Sequence, residues 1–151
     1  MKFIRLTKEQ ARDEVKLLVD KYDRIVQEDK LKRYNEENTK KDFIMPLFRA
    51  LGWNVEDEEE VAAEVKVSRG RVDYSFRIDG IPKLFLEAKA MKDNNLDKIE
   101  FIEQAINYAW HKGATWAVLT DFKGLKVFNA EWRSQNPLQS QFLGLNYSQF
   151  L

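Results

Sequence analysis

The chain has 151 residues, 44% of them hydrophobic and 33% charged, which predicts one ordered globular domain. It has no cysteine and one histidine, so disulfides, zinc ribbons, cysteine nucleophiles and multi-histidine metal centres are excluded, and any metal must be a hard cation bound by oxygen. The 25 basic and 25 acidic residues cancel, which excludes strong long-range attraction to DNA or to an anionic membrane. With no apolar run near the ~20 residues of a membrane span and no signal peptide, we expect a soluble cytoplasmic protein without a membrane partner.

Helical periodicity marks the first third of the chain. From Thr7 to about Tyr34 the apolar residues fall on one helical face, and Thr7 with Gln10 forms a capping box. A second helix is predicted from about Asn35 to Leu51. Pro46 lies within that pattern and predicts a kink or a break.

The rest of the chain predicts strands with one helix among them. The strand candidates are "EVKVS", "RVDYSFRI", "KLFLEAKA", "TWAVLTDF" and "LKVFNAEW". A helix from about Leu96 to Lys112 separates the third candidate from the fourth. The element order is therefore ααβββαββ, which favours an α/β fold with a central mixed sheet flanked by helices.

The second and third strands are joined by "DGIP", a hairpin signal that fixes which residues face each other. A loop of three or five residues centred on Gly80 places Asp73 directly opposite Glu87. Alternation in "RVDYSFRI" predicts Val72, Tyr74, Phe76 and Ile78 on one face and Asp73, Ser75 and Arg77 on the other. Glu87 and Lys89 share a face as well, so Asp73, Glu87 and Lys89 are predicted to cluster.

This cluster has the composition of a metal-dependent hydrolytic site. Carboxylates on facing strands lie ~5 Å apart and repel each other unless a cation such as Mg²⁺ or Mn²⁺ lies between them. Lys89 beside them is suited to orient a water molecule or to stabilise developing negative charge. The structural alternatives are a surface ion pair between Glu87 and Lys89 at the end of an edge strand, and a merely solvent-facing Asp73.

The pattern Asp73…Glu87-x-Lys89 resembles the catalytic signature of the PD-(D/E)xK nuclease superfamily, with Val72 where the signature has proline. Two further segments strengthen the resemblance. "NEENTKKDFIMPLFRALGW" is similar to the start of the N-terminal nuclease domain of Type I restriction R subunits and of Type IIG restriction-modification enzymes. In "FIEQAINYAW", Gln104 and Tyr108 are similar to the Q-x-x-x-Y motif of that group.

The resemblance implies a restriction-endonuclease-like three-layer fold and Mg²⁺-dependent cleavage of double-stranded DNA, with Mn²⁺ able to substitute. In-line attack of water assisted by the metal would leave a 3′-hydroxyl and a 5′-phosphate. Asp73 and Glu87 would bind the metal, and Lys89 would position the nucleophile.

The remaining candidate residues surround that centre. Glu36 would complete the catalytic set, although Glu37 is an alternative and the helix dipole alone favours an acidic residue at this position. The resemblance also implies that Gln104 belongs to the catalytic set. Tyr108 and Arg71 would, like Gln104, orient the site or contact DNA.

The resemblance also implies a division of the chain and a set of partners. We expect an N-terminal helical extension over 1–34, a nuclease core over 35–132 and a connection over 133–151, excised from a longer protein. Methyltransferase and target-recognition domains or subunits would supply sequence recognition, and a transient dimer is possible for double-strand cleavage. Few basic residues near the site could neutralise phosphates, namely Arg69, Arg71, Arg77, Lys89 and Lys92.

Two other functions remain open from the sequence. A nuclease-like fold kept as a non-catalytic DNA-binding or docking module would have no reason to bind Mn²⁺ between Asp73 and Glu87. A glycosidase with paired carboxylates would not need Lys89.

Overall fold

A computed structural model describes residues 3–67, 70–132 and 136–151, with the side chains of 65–67, 70 and 71 also left out of the description. The helices are α1 (Lys8–Gln27), α2 (Glu36–Thr39), α3 (Met45–Ala50) and α4 (Ile99–His111). The strands are β1 (Val61–Val67), β2 (Gly70–Ile78), β3 (Ile81–Ala88), β4 (Trp116–Thr120), β5 (Gly124–Asn129) and β6 (Gln141–Asn146). Three short 3₁₀ helices cover Leu31–Arg33, Pro137–Ser140 and Tyr147–Gln149. Within the described ranges, no helix is long and apolar enough to cross a membrane.

The six strands form one mixed sheet in the order β1-β2-β3-β4-β5-β6. β3 and β4 are parallel and are connected through α4, whereas the other neighbouring pairs are antiparallel. Apolar residues of α1 and α3 pack on one face of the sheet in a cluster with Phe76 and Leu86, and those of α4 pack on the other in a cluster with Phe85 and Leu119. The predicted α/β fold, a mixed sheet between two helical layers, is confirmed.

The first predicted helix has the expected start and an earlier end. Thr7 Oγ1 accepts a hydrogen bond from the Gln10 amide at 3.2 Å, and the Thr7 amide donates to Gln10 Oε1 at 2.9 Å, which confirms the capping box. The helix ends at Gln27 and not near Tyr34. Asp29 follows with a φ of 54°, a left-handed conformation that a continuing helix cannot contain.

The second predicted helix is divided by a π-helical segment, Lys40–Ile44, which lies between α2 and α3. Pro46 has no N–H to donate to the Asp42 carbonyl one turn earlier, so the α-helical ladder is interrupted there. The Lys21 ammonium donates to that carbonyl at 3.3 Å instead. The break expected from Pro46 thus takes the form of a wider turn just before it.

The β2–β3 hairpin has the predicted register at the site but not the predicted turn. Asp79 and Gly80 form a two-residue turn with φ values of 53° and 78°, so the expected loop of three or five residues is wrong. A bulge between Phe76 and Arg77 shifts the register by one residue. As a result, Tyr74 pairs with Leu86, which places Asp73 and Glu87 next in line.

The clean alternation predicted for β2 is wrong at one end. Val72 packs in the α4 cluster, whereas Phe76 packs in the opposite cluster. The ladder to β1 is irregular at this level, where Glu64 has a φ of 50° between two regular pairs. The irregular position of the ladder therefore coincides with the part of β2, between Val72 and Tyr74, at which the strand changes face.

The C-terminal segment, expected to be a connection after five strands, contributes a sixth. β6 pairs antiparallel with β5 and forms an edge of the sheet. Most of its residues are exposed. The predicted order ααβββαββ has five strands and therefore omits the sixth, β6.

Candidate active site

Asp73 on β2 and Glu87 on β3 are joined by two reciprocal hydrogen bonds. The Asp73 amide donates to Glu87 Oε1 at 3.2 Å, and the Ala88 amide donates to Asp73 Oδ2 at 2.7 Å. Each carboxylate is therefore fixed by the backbone of the other's strand, with little freedom to turn away. Their side chains are 15% and 12% exposed, so the pair lies at the bottom of a partly open site.

The environment of Glu87 disfavours its ionised form. Burial raises the pKa of Glu87 most, and the Asp73 charge raises it further. Lys89 and the Asp73 amide act in the opposite direction, and the resulting pKa is about 7 against an ordinary value of 4.5. Glu87 therefore keeps its proton to a higher pH than an exposed glutamate does.

Lys89 lies beside the pair and is held by an aromatic ring. Its Nζ is 4.0 Å from Glu87 Oε2 and 3.9 Å from the centroid of Phe101 at the start of α4. Its amide donates to the Thr120 carbonyl at 2.9 Å, which continues the β3–β4 pairing one residue past the strand end. The ammonium is thus directed along the site and not into solvent, with its side chain 14% exposed.

A second lysine, Lys40, enters the site from the π-helical segment, and sequence reasoning missed it. Its Nζ lies 2.9 Å from Asp73 Oδ1, 3.3 Å from Glu36 Oε1 and 3.2 Å from Glu37 Oε1. Burial alone would lower the pKa of Lys40, but Asp73, Glu36 and Glu37 outweigh it and raise the pKa. The only signal in the sequence was the position of Lys40 three and four residues after two acidic residues on a predicted helix.

The geometry distinguishes the two acidic candidates on α2. Both Glu36 and Glu37 contact the Lys40 ammonium, but the Glu36 side chain is 44% exposed and that of Glu37 is 79% exposed. The Glu36 charge also contributes to the raised pKa of Glu87, which brings Glu36 within electrostatic reach of the pair. Glu36 is therefore the acidic residue of α2 that faces the site, with Lys40 between it and Asp73.

Thr39 attaches α2 to the end of β3. Its hydroxyl is fully buried, donates to the Asn35 carbonyl at 2.7 Å and accepts from the Met91 amide at 3.0 Å. The Lys92 amide donates to the Tyr34 carbonyl at 3.2 Å nearby. These contacts hold the acidic end of the helix against the strand that carries Glu87.

Gln104 and Tyr108 are directly bonded on α4. Gln104 Nε2 lies 2.6 Å from the Tyr108 hydroxyl, and Tyr108 is buried while Gln104 is exposed. Gln104 is one helical turn after Phe101, the residue that contacts Lys89. The Gln104–Tyr108 pair thus continues the face of α4 that begins with Phe101 beside Lys89.

A family model named Type I restriction enzyme R protein N terminus matches residues 60–136, about half of the chain. The chain belongs to this family. The matched region contains Asp73, Glu87, Lys89 and the Gln104–Tyr108 pair, whereas α2 and Lys40 lie before it. Membership associates the domain with restriction enzymes at the level of the family.

One relative extends the similarity beyond the matched region. The chain is 30% identical over 131 residues to the Type II restriction enzyme and methyltransferase RM.Eco57I of Escherichia coli. The alignment covers 78% of the chain but 13% of that relative, so the chain spans a small part of its length. No solved structure gave a match.

The basic residues predicted near this restriction-family site are not all brought to it. Arg77 lies four residues beyond Asp73, about 13 Å along the strand, and borders a different cavity beside Gly80. Lys92 is exposed three residues after Lys89. Arg69 and the side chain of Arg71 lie outside the described residues.

The carboxylate pair fits a magnesium ion. One oxygen of each carboxylate accepts a backbone N–H, while Asp73 Oδ1 faces Lys40 and Glu87 Oε2 faces Lys89, so the two remaining oxygens already lie next to cations. Mg²⁺ needs only one or two carboxylates because water and substrate phosphate complete its coordination. In the described part of the chain, no group of three or more acidic, histidine or cysteine side chains forms a fuller metal site.

Proposed function

We propose that this domain is a metal-dependent endonuclease that hydrolyses phosphodiester bonds in double-stranded DNA, with Asp73, Glu87 and Lys89 as its PD-(D/E)xK site. The observation that carries the proposal is the reciprocally bonded carboxylate pair with a lysine ammonium 4.0 Å from it, in a chain of a restriction family. Mg²⁺ is the expected metal, and Mn²⁺ is expected to substitute for it.

The role of the carboxylates follows from their fixed geometry. Asp73 and Glu87 would hold the divalent cation through the oxygens that backbone amides do not occupy. When bound, the cation supplies charge neutralisation and polarisation at the scissile phosphate. It would also offset the Asp73 charge, which adds to the effect of burial in raising the pKa of Glu87.

Lys89 would act on the nucleophile and on the charge that develops during attack. A water oxygen forms a bond to phosphorus, the bond from phosphorus to O3′ breaks, and O3′ takes up a proton. The Lys89 ammonium, steadied by the Phe101 ring, lies where it can orient that water and stabilise the added negative charge on the phosphate. Glu36, which contacts Lys40, and Gln104, one turn after Phe101 on α4, would orient groups of the site, with Tyr108 fixing Gln104 through their hydrogen bond.

Target recognition would come from elsewhere in a longer protein. The relative is a restriction enzyme and methyltransferase, and this chain covers 13% of it, which supports methyltransferase and recognition portions as the partners of such a domain. A zero net charge supports the same division, because the domain alone can neutralise few phosphates. A transient dimer would allow both DNA strands to be cut.

The test is cleavage of a supercoiled plasmid at low salt with Mn²⁺ or Mg²⁺. Wild-type protein should convert the plasmid slowly to the nicked form, and EDTA should stop the reaction. Lys89→Ala should lose cleavage while still binding Mn²⁺ in calorimetry, because its role is not ligation. The matched control is Lys83→Ala, an exposed lysine on the same strand, which should cleave like the wild type.

Cleavage by Lys89→Ala near the wild-type rate would contradict the assignment of the lysine. A wild type that neither cleaves DNA nor binds Mn²⁺ would instead favour a non-catalytic DNA-binding or docking module.

A further inference from the structure

Lys40 occupies the place where a cation would approach Asp73. Its Nζ is 2.9 Å from Asp73 Oδ1, and the other oxygen of Asp73 already accepts the Ala88 amide. Oδ1 is the Asp73 oxygen that no backbone N–H engages, so it is the more available ligand for a divalent cation. The ammonium and the metal therefore compete for one atom.

The surroundings of Lys40 give its ammonium somewhere to move. A cavity of about 710 Å³ lies beside the site, and its lining includes Lys40, Glu37, Tyr74 and Met45. Glu37 is 79% exposed on the wall of that cavity and already lies 3.2 Å from Lys40 Nζ. A rotation of the lysine side chain can thus break its contact with Asp73 while it keeps a carboxylate partner.

We propose that Lys40 is a displaceable internal counter-ion of the metal site. In the metal-free protein it neutralises Asp73 and keeps the site assembled, and on metal binding its ammonium moves toward Glu37 and the cavity. Lys40 is thus a positioning residue that sets the metal concentration at which the site fills. This inference rests on the proposed metal site of Asp73 and Glu87.

A displaceable counter-ion differs from an ordinary structural lysine in the sign of one effect. A structural lysine supports the fold, so its loss leaves metal affinity unchanged or weakens it. A competing lysine supports the fold as well, but its loss frees Asp73 Oδ1 and adds one net negative charge beside the metal. Stability without metal and affinity for metal should therefore change in opposite directions.

The experiment is titration calorimetry of the chain with MnCl₂, together with thermal unfolding in EDTA. Lys40→Met keeps the length of the side chain and removes its charge. We expect it to unfold at a lower temperature in EDTA and to bind Mn²⁺ about tenfold more tightly, as removal of one nearby competing charge predicts. The matched control is Lys41→Met, whose lysine is 75% exposed and contacts Asp42 instead, and it should change neither value.

A second variant keeps the test decisive if Lys40→Met does not fold. Glu37→Gln removes the exposed partner that receives the ammonium, so displacement becomes harder and Mn²⁺ affinity should fall about threefold. Because the Glu37 side chain is exposed, this substitution is less disruptive to folding than the replacement of buried Lys40.

The outcomes separate the two proposals. If the wild type binds Mn²⁺ and a folded Lys40→Met binds it with equal or lower affinity, the counter-ion role alone is overturned. Unchanged Mn²⁺ affinity in Glu37→Gln overturns that role as well. No Mn²⁺ binding by either the wild type or Lys40→Met overturns the metal site and the counter-ion role together.

Discussion

Replacing Glu87 by Gln should change how the stability of the domain depends on pH. In the wild type the folded state binds the Glu87 proton more tightly than the unfolded state, with a pKa of about 7 against 4.5. Stability from this group is therefore fully present below pH 4.5 and is lost as pH rises through 7. This difference corresponds to about 3 kcal/mol, most of which falls between pH 5 and pH 8.

Gln keeps an oxygen that can accept the Asp73 amide but carries no titrating group. The assay is urea unfolding at pH 5 and pH 8 in EDTA, with the change in free energy of unfolding compared between proteins. The free energy of unfolding of the wild type should fall by about 2 to 3 kcal/mol more than that of Glu87→Gln over this range. Buried Asp121, whose pKa burial also raises, contributes equally to both proteins and cancels in the comparison.

The control is Glu103→Gln at an exposed position of α4, which should leave the wild-type pH dependence unchanged. An identical pH dependence in wild type and Glu87→Gln would refute the reasoning, because it would mean that Glu87 is ionised in the folded state without penalty.

Three further outcomes are expected. Millimolar Mg²⁺ or Mn²⁺ should raise the melting temperature of the wild type by mass action but should not raise that of Asp73→Asn. An equal rise in both proteins would place the metal elsewhere. Thr39→Val should lower the free energy of unfolding by about 1 to 3 kcal/mol, because the buried Met91 amide loses its hydrogen-bond acceptor. An unchanged free energy in denaturant unfolding would contradict this role of the Thr39 hydroxyl. The isolated chain should bind plasmid DNA weakly, and the logarithm of its affinity should fall with the logarithm of the salt concentration by about 0.9 for each of a few neutralised phosphates. It should nick the plasmid without sequence preference at low salt. Site-specific cutting at physiological salt would show that the chain reads DNA itself.

Local patterns in the sequence predicted the parts of the site that depend on neighbouring strands. Asp73 and Glu87 were predicted to face each other from hairpin parity, and the register at Tyr74 agrees. The turn behind that prediction was wrong, since a two-residue turn and a bulge compensate each other. Bulges arise where side-chain packing outweighs regular pairing, and no signal in "RVDYSFRI" marks one.

Contacts between distant segments could not be predicted in the same way. Lys40 reaches Asp73 across 33 positions of the chain, and only the packing of α2 on the sheet brings them together. β6 was missed for another reason: its sequence "QFLGLN" lacks alternation, because an exposed edge strand does not need to bury one face. The helix pattern near Pro46 predicted a break but not its π-helical form, in which the Asp42 carbonyl accepts a hydrogen bond from the distant Lys21 side chain.

The most direct test of the proposed site is a crystal structure of the chain soaked in Mn²⁺, with anomalous scattering used to locate the ion. We predict one Mn²⁺ coordinated by both Asp73 and Glu87, with Lys89 beside it and not among its ligands. An ion bound elsewhere, or no ion at that position at millimolar Mn²⁺, would contradict the assignment of Asp73, Glu87 and Lys89 as a metal-dependent hydrolytic site.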